Sequence, residues 1–261
     1  MQFLYLEGMR PYLLIENNWK NLSTDRHDLA VMSWGATEAH NYHLPYGTDI
    51  YEADAISAES ACKAYEKGGK VIVLPPIPFG VNTGQRAIYL DINLNPSTQL
   101  AIMRDILTVL NRQGIKKFLL INAHGGNDFK PIIRELGAEF PEMLLILCNF
   151  FQVLDKKNYF EEEGDHADEM ETSVMMYLKP ELVLPLEQSG LGKEKQHQIK
   201  AIREKWAWTE RRWSEVTEDT GIGNPKKSTK EKGERFFNDL TDKISELMLD
   251  LCTADLNRLY Q

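Results

Sequence analysis

Leu29 to Asp49 reads LAVMSWGATEAHNYHLPYGTD, an apolar run that passes directly into a cluster of metal-binding side chains. Leu29 to Met32 has the character of a buried strand end, and the polar residues that follow are too rich in Gly, Pro and Asn to be helical. Catalytic groups of α/β proteins collect at such strand ends. Glu38, His40, His43 and Asp49 stand within twelve residues. Glu38 and His40 are two apart, so an extended backbone directs both to one side, and Asp49 can return to them after the turn from Pro45 to Gly47.

Working outward, apolar runs suited to buried strands recur at Lys70 to Leu74, Lys117 to Ile121 and Met143 to Cys148. Between them the pattern predicts helices over Tyr51 to Lys67, Ser97 to Arg112 and Asp128 to Phe140, each long enough for a βαβ crossover. This alternation predicts an α/β fold with a mostly parallel sheet. Beyond His166, a helix is predicted over Ala167 to Leu178 and another over the polar, Trp-bearing stretch from Lys195 to Val216. A loop, TGIGNPKK, then precedes an amphipathic helix from Thr229 to Leu256, with Phe236, Leu240, Ile244, Leu247 and Leu251 at helical spacing as core or interface. Residues 1 to 261 show no internal repeat and are read as one domain.

The chain of 261 residues is 43% hydrophobic, enough for a substantial core. Its formal net charge of -9, with no basic run longer than the lysines around Lys226, argues against nucleic acid as a partner. Cys62, Cys148 and Cys252 are far apart and odd in number, which points to a reducing cytoplasm rather than a disulfide framework or a cysteine zinc site. Glu7 and Glu16 make the first twenty residues unlike a signal peptide, and no segment approaches the ~20 apolar residues needed to cross a bilayer.

Two further polar clusters matter. NAHGGN, Asn122 to Asn127, follows the third strand, so His124 sits where a strand meets a turn; alone, a phosphate-cradling or plain tight turn with a surface histidine explains it as well as a functional site does. GDHADEMETS, Gly164 to Ser173, carries Asp165, His166, Asp168, Glu169 and Glu171 at a helix start, which alone reads as acidic residues favoured by the helix dipole. However, four of the six histidines fall within the three clusters. Histidines and carboxylates gathered at successive strand ends need partners, and a metal supplies them.

In these residues the chain resembles the creatininase (creatinine amidohydrolase) family. GATEAHNYHLPYGTD is similar to its Gly-x-x-Glu-x-His-x-x-His-Leu-Pro-x-x-Thr-Asp signature. NAHGGN resembles its Asn-x-His-Gly-Gly-Asn element, HADEMETS its His-Ala-x-Glu-x-Glu-Thr-Ser element, and GIGNPKKSTKEKGE its Gly-x-x-Gly-x-Pro…Lys-Gly segment. The resemblance implies a three-layer α/β/α fold and two divalent ions per chain, zinc, manganese or iron. Glu38 and His124 would bind one ion and His40 the other, with Asp49 bridging. It implies His166 as the catalytic histidine and a homo-oligomer, commonly a hexamer. In creatininase itself the second ion takes a glutamate at the position of Gly126; here Glu171 is the replacement, with Glu169 as the local alternative. His43 is read as packing near the site, and Glu52, Asp54 and Glu59 as solvated helix residues.

Two departures bear on the substrate. The family's His-x-x-Phe-Pro-Gly-Thr element is replaced by NTGQRAIYLDINL, Asn82 to Leu94, with Gln85 and Arg86 where a histidine is expected. The tryptophans that close over creatinine have no counterpart between Asn149 and His166, where Phe150, Phe151, Tyr159 and Phe160 are the aromatics available. Trp206, Trp208 and Trp213 are expected in packing or a subunit interface. The expected activity is therefore hydrolysis of a small linear or cyclic amide other than creatinine, by a hydroxide bridging two ions. A metal-stabilised scaffold without activity and a nucleotide-binding protein are the competing readings. The latter lacks a Gly-x-Gly-x-x-Gly or lysine-bearing phosphate loop.

Overall fold

The computed structural model describes residues 9–260, so Glu7 lies outside them. Four parallel strands form the central sheet: β1 (Leu29–Trp34), β2 (Val71–Val73), β3 (Lys117–Asn122) and β4 (Leu144–Asn149), in the order β2-β1-β3-β4. Ala30 pairs with Ile72 on one side and Phe118 on the other, and Leu119 pairs with Ile146. Alternate β1 residues serve opposite faces, as the two-residue period of a strand demands. Leu29 and Val31 enter one apolar core, while Ala30, Met32 and Trp34 enter the other.

Helices cover both faces, giving three layers. On one side lie α1 (Thr48–Glu66), α4 (Glu169–Leu178) and α5 (Lys230–Thr253); on the other lie α2 (Pro96–Arg112) and α3 (Phe129–Glu139). Pro96 opens α2, where a missing N–H costs nothing. Side-chain oxygens of Asp128, Asp168 and Thr229 cap α3, α4 and α5. Phe236, Leu240, Ile244 and Leu251 of α5 are core residues, and Leu247 packs at their margin.

Two sequence expectations change. Helix α1 begins at Thr48 rather than Tyr51, so Asp49 belongs to its first turn instead of a loop. That turn seats directly on Gly35: a Cβ there would lie 2.9 Å from the Asp49 carbonyl carbon. The stretch from Lys195 to Val216 is not one helix. It holds two short helices, Lys200–Arg203 and Trp213–Val216, joined by a turn, a bend and irregular chain, because its apolar residues keep no continuous face. A small antiparallel pair, β5 (Gly164–His166) with β6 (Ile222–Gly223), completes the architecture.

Candidate active site

The chain passes from β1 to β2 on one side and later to β3 on the other. Ligands of open α/β sheets collect at this reversal, at the carboxyl ends of the strands. Glu38 and His40 follow β1, His124 follows β3, Asp49 lies in the first turn of α1, His166 ends β5, and Glu171 lies in the first turn of α4. All six are buried.

Two trios can hold an ion: Glu38, Asp49 and His124, and His40, Asp49 and Glu171. In each, one ligand atom per residue lies within 4.8 Å of the others, and Asp49 is common to both. His124 Nδ1 is 2.9 Å from Glu38 Oε1 and 3.1 Å from Asp49 Oδ2, while His40 Nε2 is 2.9 Å from Asp49 Oδ1 and 3.9 Å from Glu171 Oε2. Glu38, His40 and His166 make a third trio.

Main-chain carbonyls orient all three imidazoles. His40 Nδ1 faces Glu38 O at 3.1 Å, His124 Nε2 faces Val81 O at 3.0 Å, and His166 Nε2 faces Ala39 O at 2.9 Å. A ring nitrogen beside a carbonyl must be the donor, so each free nitrogen points into the carboxylate cluster, as metal-ligating histidines do. With Nε2–H on the Val81 carbonyl, a neutral His124 offers no proton to Asp49 Oδ2, which is buried 3.1 Å from its Nδ1. Positive charge is what the cluster needs. Burial opposes charge on His40, yet Asp49, Glu171 and Glu38 push it up to about 10; His124 is likewise raised, by Glu38 and Asp49. Burial also opposes charge on Glu38, but His124 and His166 hold it below its ordinary value. Protons or cations can therefore neutralise the cluster, and its nitrogen and carboxylate donors suit borderline and hard divalent ions.

The acidic turn after His166 divides its work. Asp168 Oδ1 accepts the Glu171 N–H at 3.0 Å, and Glu171 Oε2 accepts the Ala167 N–H, a close relative of the capping box. Burial pushes Glu171 up to about 8. Glu169 points elsewhere: it takes the N–H groups of Glu161 and Glu162 and pairs with Lys232 of α5. The helix-cap and ligand readings of this cluster thus coexist, on different residues. Asn41 and Ala167, each just after a site histidine, have φ of 53° and 50°, a left-handed backbone that costs free energy outside glycine.

In the NAHGGN turn, His124 N–H is bonded to Asn122 Oδ1 and Asn127 N–H to His124 O, so these groups are spent on the turn itself rather than offered to a phosphate. His43 is buried outside the trios, with Nε2 2.8 Å from Thr172 Oγ1; burial and nearby His40 push it down to about 4. Glu52 corrects its expected solvation. One turn beyond Asp49, it is fully buried, and neither carboxyl oxygen has a partner among the described residues; burial, with Glu171 and Asp49 near, raises it well above its ordinary value.

Three participants went unread in the sequence. Gln85 is 2% exposed and its Nε2 donates to Glu38 Oε2, whereas neighbouring Arg86 is exposed. Asp91 Oδ1 accepts the N–H of Ala39, the residue between two site groups, at 2.8 Å, and burial holds its carboxyl up to about 7. Trp213 packs edge-on against His166 with ring centroids 4.7 Å apart, so it belongs to the site's wall. Trp206 and Trp208 are exposed. Phe150 and Phe160 are core residues and Phe151 and Tyr159 pack on that core, so none covers the site. The signal for Gln85 and Asp91 was their position in the segment that replaces the family's histidine element; Trp213 carried none for the site.

The creatininase family model, described as creatinine amidohydrolase, matches residues 16–248. The mycofactocin precursor peptide peptidase of Mycobacterium ulcerans (strain Agy99) is 26% identical over 160 residues, 58% of each chain. The creatinine amidohydrolase of Pseudomonas putida is 24% identical over 170 residues, 57% of this chain and 64% of that one. The chain thus spans less than two thirds of either curated relative. A crystal structure from Bacteroides fragilis NCTC 9343, provisionally assigned as a creatinine amidohydrolase, superposes with a TM-score of 0.90 at 42% identity, covering 96% of this chain and 99% of that one. A creatininase structure superposes at 0.73 with 19% identity, covering 94% and 99%. Creatininase has been solved in a zinc–zinc form and a manganese form.

Proposed function

The chain belongs to the creatininase family, and from that premise we propose that it is a metal-dependent hydrolase of carbon–nitrogen bonds other than peptide bonds, acting as one domain on a small linear or cyclic amide. The observation that carries this reading is Asp49, whose two carboxylate oxygens each face a different imidazole and which belongs to both ion-binding trios. Glu38 and His124 would hold one divalent ion, His40 and Glu171 the other, and Asp49 both. Zinc, manganese and iron all suit this donor set.

When bound, such a pair would lower the pKa of water enough to supply a nucleophile at neutral pH and would polarise the amide carbonyl. The chain's own residues do the rest. Burial holds the His166 pKa below its ordinary value and so favours the neutral imidazole, with Nε2–H fixed on the Ala39 carbonyl and Nδ1 free. Nδ1 would accept the proton of the attacking water as its oxygen bonds to the carbonyl carbon, and would pass that proton to the departing nitrogen as the C–N bond breaks. Trp213, edge-on to His166, restricts water around that transfer.

Creatinine is not the substrate in this reading. The segment from Asn82 to Leu94 replaces the family's histidine element, and the only tryptophan against the site among the described residues comes from a different part of the chain. Three free thiols fit a reducing cytoplasm, and no described helix is long and apolar enough to cross a membrane. The family resemblance implies a homo-oligomer.

Calorimetric titration of metal-free protein with zinc or manganese, followed by assays on creatinine, formamido compounds and small cyclic amides, tests the reading. Two ions per chain, hydrolysis of an amide other than creatinine, and loss of both ions in Asp49→Ala are expected. Two ions without hydrolysis would mean a metal-stabilised scaffold; fewer than two would break the site assignment.

A further inference from the structure

The loop after β2 touches the site at three points. Val81 O receives His124 Nε2–H, Gln85 Nε2 donates to Glu38 Oε2, and Asp91 Oδ1 receives the Ala39 N–H. Once these bonds are made, Asn82 Oδ1, Gln85 Oε1 and Asp91 Oδ2 remain buried with no hydrogen-bond partner among the described residues. Chemistry fixes which atom is left over. The Glu38 carboxylate only accepts, so the Gln85 amide turns its NH2 to it and presents its oxygen; the Ala39 N–H only donates, so it consumes one oxygen of Asp91 and leaves the other. Leu90, just before Asp91, has a φ of 63°, a strained conformation of the kind that concentrates at functional sites.

The same loop is joined to the wall that carries Trp213. Thr83 bonds to Glu210, and Gly84 lies so close to the Arg211 carbonyl that a side chain would not fit. Arg211 in turn pairs with Asp165 at 2.7 Å, beside His166. Buried acceptors without donors are rare in folded proteins and call for an occupant that supplies N–H or O–H groups.

We propose that Gln85 and Asp91 are specificity-determining residues whose free oxygens accept N–H groups of the substrate, selecting an amide that keeps its N–H donors over an N,N-dialkylated one. This rests on the amidohydrolase reading of the site. It assigns recognition to the segment that departs most from the family pattern, and it makes the leaving side of the substrate the part that is read.

Acetamide and N,N-dimethylacetamide share a carbonyl and differ in N–H donors. Their binding to the full chain is measured by ligand-observed NMR at pH 8, with and without zinc. The unaltered protein is expected to favour acetamide by ~10-fold or more, the direction in which a donor-accepting site rejects the analogue lacking donors. In Asp91→Asn the Ala39 N–H still claims the oxygen, so the amide NH2 occupies the free position and the preference is lost or reversed. Gln85→Met, of similar length, removes a second acceptor and reduces the preference independently should Asp91→Asn not fold. Equal binding of both amides by the unaltered protein, or a preference unchanged in the folded variants, overturns the proposal. A protein that takes up no zinc yet favours acetamide would overturn the amidohydrolase reading and leave this assignment standing.

Discussion

Gly126 and His124 are packed so closely that a Cβ on Gly126 would overlap the His124 Nε2 and the Val81 carbonyl to which that nitrogen donates. The position where creatininase supplies a metal-binding glutamate is therefore sterically closed in this chain, whatever its chemistry. Gly126→Ala should displace the His124 ring and weaken binding of one ion by ~10-fold or more, the scale on which loss of an orienting partner acts. Gly126→Glu should do the same rather than add a ligand. Zinc calorimetry that found tighter binding in Gly126→Glu would contradict this.

The two glutamates of α4 should separate cleanly. Glu171→Ala is expected to bind one ion fewer per chain, because Glu171 belongs to the trio with His40 and Asp49. Glu169→Ala should keep both ions but lose stability, about 3 kcal/mol, since Lys232 and two backbone N–H groups lose their partner. Metal content and chemical denaturation of the two variants read these effects; the reverse pattern would move the ligand to Glu169.

Metal uptake should release protons. Without ions, Asp49 and its neighbours hold His40 up to about 10, and burial holds Glu171 up to about 8, so both carry protons at pH 7. Affinity should then rise with pH, and calorimetry in buffers of different ionisation enthalpy should find at least one proton released per chain. A folded-state pKa above the unfolded one means that protonated His40 stabilises the metal-free fold. That contribution is complete below about 6.5 and is lost as pH rises through about 10. Metal-free protein should accordingly lose part of its thermal stability between pH 7 and 10, and a Tm flat over that range would refute the linkage.

His166→Ala should retain both ions while amide hydrolysis falls by ~100-fold or more, the usual scale for an acid–base group. Its nitrogen lies 3.7 Å from Glu38 Oε1, near the cluster but outside the two trios that share Asp49. Equal loss of metal and activity would make His166 a ligand.

Glu52→Gln should stabilise the protein near pH 8 and change little near pH 4. Burial raises the Glu52 carboxyl in the folded state, so ionisation is easier in the unfolded chain, and the group costs stability increasingly as pH rises above its ordinary range. Thermal melts at the two pH values decide; a lower Tm for the variant at pH 8 would show that Glu52 is ionised and paired.

Local order along the chain was enough to determine the parallel sheet. Four apolar runs separated by helical periods dictate a parallel α/β sheet, because buried strands and crossover helices leave periodic signatures within a dozen residues of themselves. The clusters at the strand ends contained Glu38, His40, Asp49, His124, His166 and Glu171 among other polar residues, and the family resemblance singled these six out. What the chain does between elements was decided only in three dimensions. Glu169 and Glu171 are two apart in one helix turn, and a lysine from α5 draws one away from the cluster. Glu52 looks like any acidic helix residue until α1 turns it inward, one turn after Asp49. Gln85 reaches Glu38 across 47 positions, and Trp213 reaches His166 from a stretch read as a helix with its tryptophans in packing or a subunit interface. Loop contacts of this kind depend on where distant backbone comes to rest, which no local period encodes, so the wall around the cluster was the part left to the tertiary structure.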